Sequence, residues 1–136
     1  MLSTTDQPSR RILVADDDPV MVRVVTRVLS ESGYRIVVAN DGREAYRILQ
    51  ADSDFRAAIF DMKMPHLQGI DIIRYMKTEK RLMRIPVVIM TGDRNLTVPG
   101  ESFAAGATAF LLKPFTTQNV QTLMRLLGDK AAAVAA

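Results

Sequence analysis

Asp61 closes a short apolar run, Ala57-Ala58-Ile59-Phe60, and is followed by Met62-Lys63-Met64-Pro65. Three more apolar runs end in a residue capable of chemistry. Ile12-Leu13-Val14-Ala15 leads into Asp16-Asp17-Asp18. Pro86 to Met90 leads into Thr91-Gly92, and Ala109-Phe110-Leu111-Leu112 into Lys113-Pro114. If these runs are parallel strands, their carboxyl ends share one edge, where open α/β sheets place their sites. Carboxylates, a hydroxyl and an ammonium then converge. A carboxylate can attack phosphorus and form an acyl phosphate. Such a transfer asks for in-line positioning and for neutralised equatorial oxygens. Asp16, Asp17 and Asp61 can offer oxygens to a hard divalent ion, Mg2+ or Mn2+, which keeps several waters. Lys113 can sit on a phosphoryl oxygen as a point charge. The Thr91 hydroxyl can donate to another.

The segments between these runs set their geometry. Strand-like runs cover Arg11–Ala15, Arg35–Ala39, Ala57–Phe60, Val87–Met90 and Ala109–Leu112. The first helix is expected from Pro19 to Ser32, with proline near its first turn and Gly33 as its stop. Asp41-Gly42-Arg43-Glu44 reads as a capping box before Ala45, Ile48 and Leu49. Gly69 to Glu79 carries Ile70, Ile73 and Met76 or Lys77 at helical spacing, and Thr117 to Leu127 carries Val120, Leu123, Met124 and Leu127. The fourth helix is weak. Pro99-Gly100 interrupts its window, so an irregular loop and a short helix from about Pro99 to Ala105 are expected. Strands this continuously apolar are covered on both faces, and right-handed helical crossovers join them.

Composition bounds the rest. The 136 residues suit one domain, and 48% hydrophobic with 24% charged content is ordinary for a globular protein. No apolar run reaches the roughly 18 residues of a membrane span, and Met1 to Arg11 lacks the apolar region of a signal peptide. The absence of Cys removes disulfides and thiolate chemistry, so a cytoplasmic protein is expected. The net charge is +3. Arg74, Lys77, Lys80, Arg81 and Arg84 cluster, as a solvated face or a dock for an acidic partner. No aromatic residues interleave with them, so direct nucleic-acid binding is not expected.

The motifs taken together resemble the response-regulator receiver domain of two-component signalling, in its single-domain, chemotaxis-regulator-like form. They are Asp16-Asp17, Asp61-x-x-Met64-Pro65-x-x-x-Gly69, Thr91-Gly92 and Lys113-Pro114-Phe115. The resemblance covers roughly residues 10 to 128, leaving 1–9 as a flexible N-terminus and 129–136 as an Ala-rich tail or linker stump. It implies an α/β, (βα)5 flavodoxin-like fold: a five-stranded parallel sheet, helices on both faces, and an irregular or shortened fourth helix. It implies Asp61 as phosphoacceptor. It implies Mg2+ or Mn2+ held by Asp17 and Asp61, with Asp16 close by and the Lys63 main-chain carbonyl contributing. Thr91 and Lys113 would contact the phosphoryl group. Phe110 would be the switch aromatic, and the Lys113-Pro114 bond would be cis. Asp18 would only cap the first helix. Implied partners are a histidine kinase or phosphotransfer protein upstream, and a protein target or a removed output domain downstream.

Within that frame, this chain has its own features. Lys63 and Asp93 are expected to form an ion pair across the entrance used by attacking water, tuning phosphoryl lifetime. The apolar residues of the first helix (Val20, Met21, Val22, Val24, Val25, Val28, Leu29) exceed the roughly 100° stripe of a surface helix. Either the helix is deeply packed or a strip beside the site stays open for a helical partner. His66, the single His, reads as an exposed loop residue. Two other functions compete. A receiver-fold interaction module would work without phosphorylation. An aspartate-nucleophile phosphatase would want a second Asp where Lys63 stands, and would need a cap domain.

Overall fold

The computed structural model describes residues 9–93, 95, 97–113 and 116–125. Five strands alternate with helices: β1 (Arg11–Ala15), α1 (Pro19–Glu31), β2 (Arg35–Ala39), α2 (Gly42–Ala51), β3 (Ala57–Asp61), α3 (Gly69–Lys77), β4 (Val87–Thr91), α4 (Val98–Ala105) and β5 (Ala109–Leu112). A fifth helix, α5, occupies residues 117–125. All strand pairs are parallel, in the order β2-β1-β3-β4-β5. This is the (βα)5 flavodoxin-like fold. The chain moves outward from β1 to β2, then returns to pair β3 with β1 on its other side. The crevice at that reversal lies at the carboxyl ends of β1 and β3.

The alternation of side chains along each strand builds two cores. Leu13, Ala15, Ala58, Phe60, Val87 and Ile89 join α2, α3 and α4 residues such as Leu49, Ile73 and Met76. Ile12, Val14, Ala57, Ile59, Val88 and Met90 join α1 and α5 through Val25, Val28, Leu29, Val120 and Met124. Burial on both faces explains why β1, β3 and β4 read as unbroken apolar runs.

The helix ends are chemically determined. Asp18 accepts from the Val20 amide at 3.0 Å, with Pro19 opening α1, and Gly33 follows its end at φ +89°. Asp41 accepts from the Glu44 amide at 2.8 Å, but the reciprocal bond goes one residue further back: Glu44 Oε2 accepts from the Asn40 amide. The expected box is therefore displaced, because Asp41 is extended (φ −158°) and the Glu44 side chain meets the preceding N–H. At α3 the Gln68 amide donates to Asp71 Oδ2 at 3.1 Å, the reciprocal half of such a box, which Gln at the cap position concealed. Pro99 falls in the first turn of α4, where its missing N–H costs nothing, so the helix begins at Val98 after an irregular lead-in. Pro114, Leu127, the N-terminal residues 1–8 and the tail 129–136 lie outside the described residues.

Candidate functional site

Each site residue is the last of a strand or one of the first two beyond it. β1 delivers Asp16, β3 ends at Asp61, β4 ends at Thr91, and Lys113 follows β5. Lys113 Nζ donates to Asp16 Oδ2 at 3.2 Å and to Asp61 Oδ2 at 3.3 Å. Asp16, Asp17 and Asp61 each present a carboxylate oxygen within 4.8 Å of the others. Asp16 and Thr91 are nearly inaccessible and Asp61 is 9% exposed, while Asp17 reaches solvent. Asp16 is further oriented by the Asp18 amide, which donates to its Oδ1 at 3.0 Å.

The electrostatics follow from that packing. Burial, with the Asp16 carboxylate as second cause, pushes the Asp61 carboxyl up to about 6, against the pull of Lys113. Burial also opposes the charge on Lys113, but Asp61 and Asp16 outweigh it and hold its pKa above the usual lysine value. When all are ionised, three carboxylates and one ammonium leave two uncompensated negative charges. An all-oxygen donor set with that excess fits a hard divalent cation.

Thr91 Oγ1 accepts from the Asp93 amide at 3.1 Å, and the Thr91 carbonyl takes the Lys113 amide at 2.7 Å. The hydroxyl proton is thus left to serve another acceptor. Lys63 Nζ stands 3.4 Å from Asp93 Oδ2, joining the residues two beyond Asp61 and two beyond Thr91. The Asn95 amide first, and Lys63 second, hold the Asp93 carboxyl below its usual pKa. Phe110 is half-buried on β5, opposite Ile89, against the core under α2, α3 and α4.

Gly69 has a steric reason to be glycine. A Cβ there would lie 2.6 Å from the Asp61 carbonyl oxygen and 2.9 Å from Ile89 Cδ1, and the Gly69 amide donates to the Met62 carbonyl at 3.1 Å. The close approach of α3 fixes the backbone that carries Asp61. Gly69→Ala is expected to lower stability by about 1–3 kcal/mol through overpacking, read as a lowered denaturation midpoint in urea.

Sequence reasoning missed one direct neighbour. Ser102 of α4 is fully buried; its hydroxyl donates to the Val98 carbonyl at 2.9 Å and lies 3.8 Å from Met62 Sδ. Met62 follows Asp61, so α4 touches the loop that leaves β3. The only local signal was a Ser on a helix whose Phe103 is 49% exposed. His66 takes a left-handed backbone (φ 73°), and its Nδ1 stands 3.1 Å from Arg43 Nη2. It lies at the surface beyond Pro65.

The model of the response regulator receiver domain matches residues 12–125, the span holding every one of these side chains. The chain belongs to that family. This receiver domain is 32% identical over 120 residues to the two-component response regulator ORR3 of Oryza sativa subsp. indica, covering 88% of this chain and 92% of the relative. It is 32% identical over 109 residues to the chemotaxis protein CheY1 of Helicobacter pylori, covering 79% and 88%. Among solved structures, the chemotaxis response regulator CheY4 of Vibrio cholerae superposes with a TM-score of 0.81 at 26% identity, covering 89% of this chain and 99% of that one. The receiver domain of the sensor histidine kinase PA1611 from Pseudomonas aeruginosa superposes at 0.79 and 26% identity, covering 88% and 98%; it was solved with a magnesium ion coordinated in its active-site cleft. Receiver domains are signalling phosphoacceptors rather than turnover enzymes, and the acidic cluster of this receiver supports that role.

Proposed function

We propose that this receiver takes a phosphoryl group onto Asp61 from a histidine kinase or phosphotransfer protein and thereby switches a protein-interaction surface. The observation that carries this reading is the convergence of Asp16, Asp17, Asp61 and Lys113 at the sheet edge where β4 ends in Thr91. In the transfer, an Asp61 carboxylate oxygen forms the new bond to phosphorus. The bond from phosphorus to the donor's imidazole nitrogen breaks, and that nitrogen keeps the electron pair. Lys113 then moves its charge from the Asp61 carboxylate to a phosphoryl oxygen, and Thr91 donates its hydroxyl proton to another. Asp16, Asp17, Asp61 and the Lys63 carbonyl would hold Mg2+ or Mn2+, which supplies neutralisation of the phosphoryl charge when bound. Movement of Thr91 toward the phosphoryl group would vacate space for Phe110 to turn inward.

The downstream reader is a separate protein target or an attached output domain. A cytoplasmic setting belongs to the same proposal; among the described residues no helix is long and apolar enough to cross a membrane. The receiver proper is taken as residues 10–128. The test is incubation with Mg2+ and acetyl phosphate, followed by intact mass. A labile gain of one phosphoryl group supports the reading; no gain under conditions where metal binds refutes it for small donors.

The pairing of Lys63 with Asp93 supports a gating role. Lys63 is largely exposed, so the pair contributes little stability. Its position at the site entrance can still restrict water. Lys63→Glu places like charges together and is expected to change the autodephosphorylation rate about threefold or more; an unchanged decay of labelled protein would reject the gate.

On α1, Val25, Val28 and Leu29 are buried, Met21 and Val22 are half-buried, and Val20 and Val24 are 56% and 39% exposed. The helix is therefore packed on one side and open on the other. The open side favours a helical phosphodonor. Val20→Ala combined with Val24→Ala is expected to slow transfer from a kinase about tenfold and to leave labelling by acetyl phosphate unchanged. Equal slowing from both donors would reject this face.

A further inference from the structure

The edge of the sheet opposite the phosphorylation site carries a row of basic residues, two of which, Arg11 and Arg81, have acidic partners in Asp52, Asp54 and Glu79. The strands begin there, and register places their first residues side by side: Arg11 against Arg35, Ile12 against Ala57, and Ala58 against Val87. Neighbouring strands lie about 4.8 Å apart. In sheet order the edge therefore runs through Arg35, Arg11, Arg56 and the turn before β4, which carries Lys80, Arg81 and Arg84.

Several of these cations have internal work. Arg10 donates to the Gly33 and Ser32 carbonyls at the end of α1 and covers the Tyr34 ring. Arg11 pairs with Asp52 at 2.7 Å. Arg81 donates to the Leu49 carbonyl at the end of α2, at 2.6 Å. Lys77 donates to the Met83 carbonyl. These satisfy helix ends and a turn, as cations near helix C-termini do.

Arg35, Arg56, Lys80 and Arg84 are different. Among the described residues, none of the four side chains has an internal hydrogen bond or ion pair. Arg35, Lys80 and Arg84 are exposed and Arg56 is half-exposed. Burial of Leu82 and Ile85 pins the turn and turns Lys80, Met83 and Arg84 outward. Met83 is 46% exposed between the basic residues. Unpaired arginines are suited to carboxylate by their planar fork. A flexible thioether beside them suits an adaptable apolar contact.

We propose that this edge docks an acidic protein segment, rich in Glu or Asp and carrying an apolar residue that meets Met83. Charge complementarity selects an anion. Met83 selects protein over nucleic acid, because a phosphate backbone gains nothing from it. The aromatic rings of this edge are occupied as well: Tyr34 lies under Arg10, and Phe55 is buried under Arg11. Neither of these two rings is free for base stacking. The surface lies across the sheet from Asp61, so a partner held there leaves the phosphorylation site open.

The probe is a fluorescent Glu-rich peptide with a central Leu, read by anisotropy, with duplex DNA of equal charge as the comparison. The peptide is expected to bind with salt-sensitive affinity. Arg56→Gln with Arg84→Gln should weaken it about tenfold and Met83→Ser about threefold, with melting temperature and labelling by acetyl phosphate unchanged. Arg35→Gln serves as an independent variant if the double variant folds poorly. Absence of peptide binding, equal affinity in all variants, or tighter binding of DNA with no effect of Met83→Ser would overturn the proposal.

Discussion

Asp61→Asn is expected to raise the stability of the metal-free receiver at pH 7 and above, by about 1–3 kcal/mol. Burial and Asp16 raise the Asp61 carboxyl from 3.8 to about 6. A folded-state pKa above the unfolded one means that folding takes up a proton between these values. The favourable contribution is complete below pH 3.8 and is lost as pH rises through about 6. Above that, Asp61 is an ionised group that the fold keeps beside another buried carboxylate, with Lys113 as partial compensation. Asparagine keeps the shape and removes the charge. Wild-type melting temperature, measured without metal, should carry a falling component between pH 4 and 6.5, roughly the window set by these two values, which Asp61→Asn lacks. The same reasoning gives the metal dependence. Wild-type Mg2+ affinity should fall below about pH 6, as Asp61 takes its proton. The variant, with one fewer charged ligand, should bind Mg2+ about tenfold or more weakly at neutral pH. An identical pH profile for both proteins would contradict this electrostatic account.

Lys113→Met is expected to act in the opposite sense on the metal. Lys113 Nζ contacts Oδ2 of both Asp16 and Asp61, so the ammonium and a divalent ion compete for the same carboxylates. Methionine preserves the apolar stem and removes the charge. Breaking a largely buried pair should destabilise the metal-free protein at neutral pH by about 2–4 kcal/mol. Mg2+ should then bind about tenfold more tightly and restore more stability than it does in wild type. Labelling by acetyl phosphate should nevertheless fall about 100-fold, because the phosphoryl group loses its cation. Unchanged Mg2+ affinity, by calorimetry, would show that Lys113 is not the competitor.

Much of this architecture was legible in the residues because the apolar runs are short, continuous and end in reactive groups. Burial on both sheet faces forces that pattern, and the carboxyl ends of parallel strands bring Asp16, Asp61, Thr91 and Lys113 together. The Lys63–Asp93 pair could be anticipated because both stand two residues beyond a strand-end site residue. Other features depend on packing. Lys113 answers Asp16 as well as Asp61, a bond visible only once β1, β3 and β5 share an edge. Ser102 faces inward while Phe103 faces out, which no hydrophobic periodicity would favour. The open side of α1 falls on Val20 and Val24 while Met21 and Val22 are half-buried, a division that the apolar arc of the helix alone does not make. Gly69 was visible as a motif letter, but its reason, contact with the Asp61 backbone, required α3 to be in place.

The central claim is that Asp61 itself becomes the acyl phosphate. After labelling with Mg2+ and acetyl phosphate, borohydride reduces an aspartyl phosphate to homoserine, and peptide mass spectrometry locates the altered residue. The account requires homoserine at position 61 and at no other aspartate, dependent on both metal and phosphodonor. Homoserine at Asp16 or Asp17, or a phosphoryl group stable to these conditions on another side chain, would contradict it.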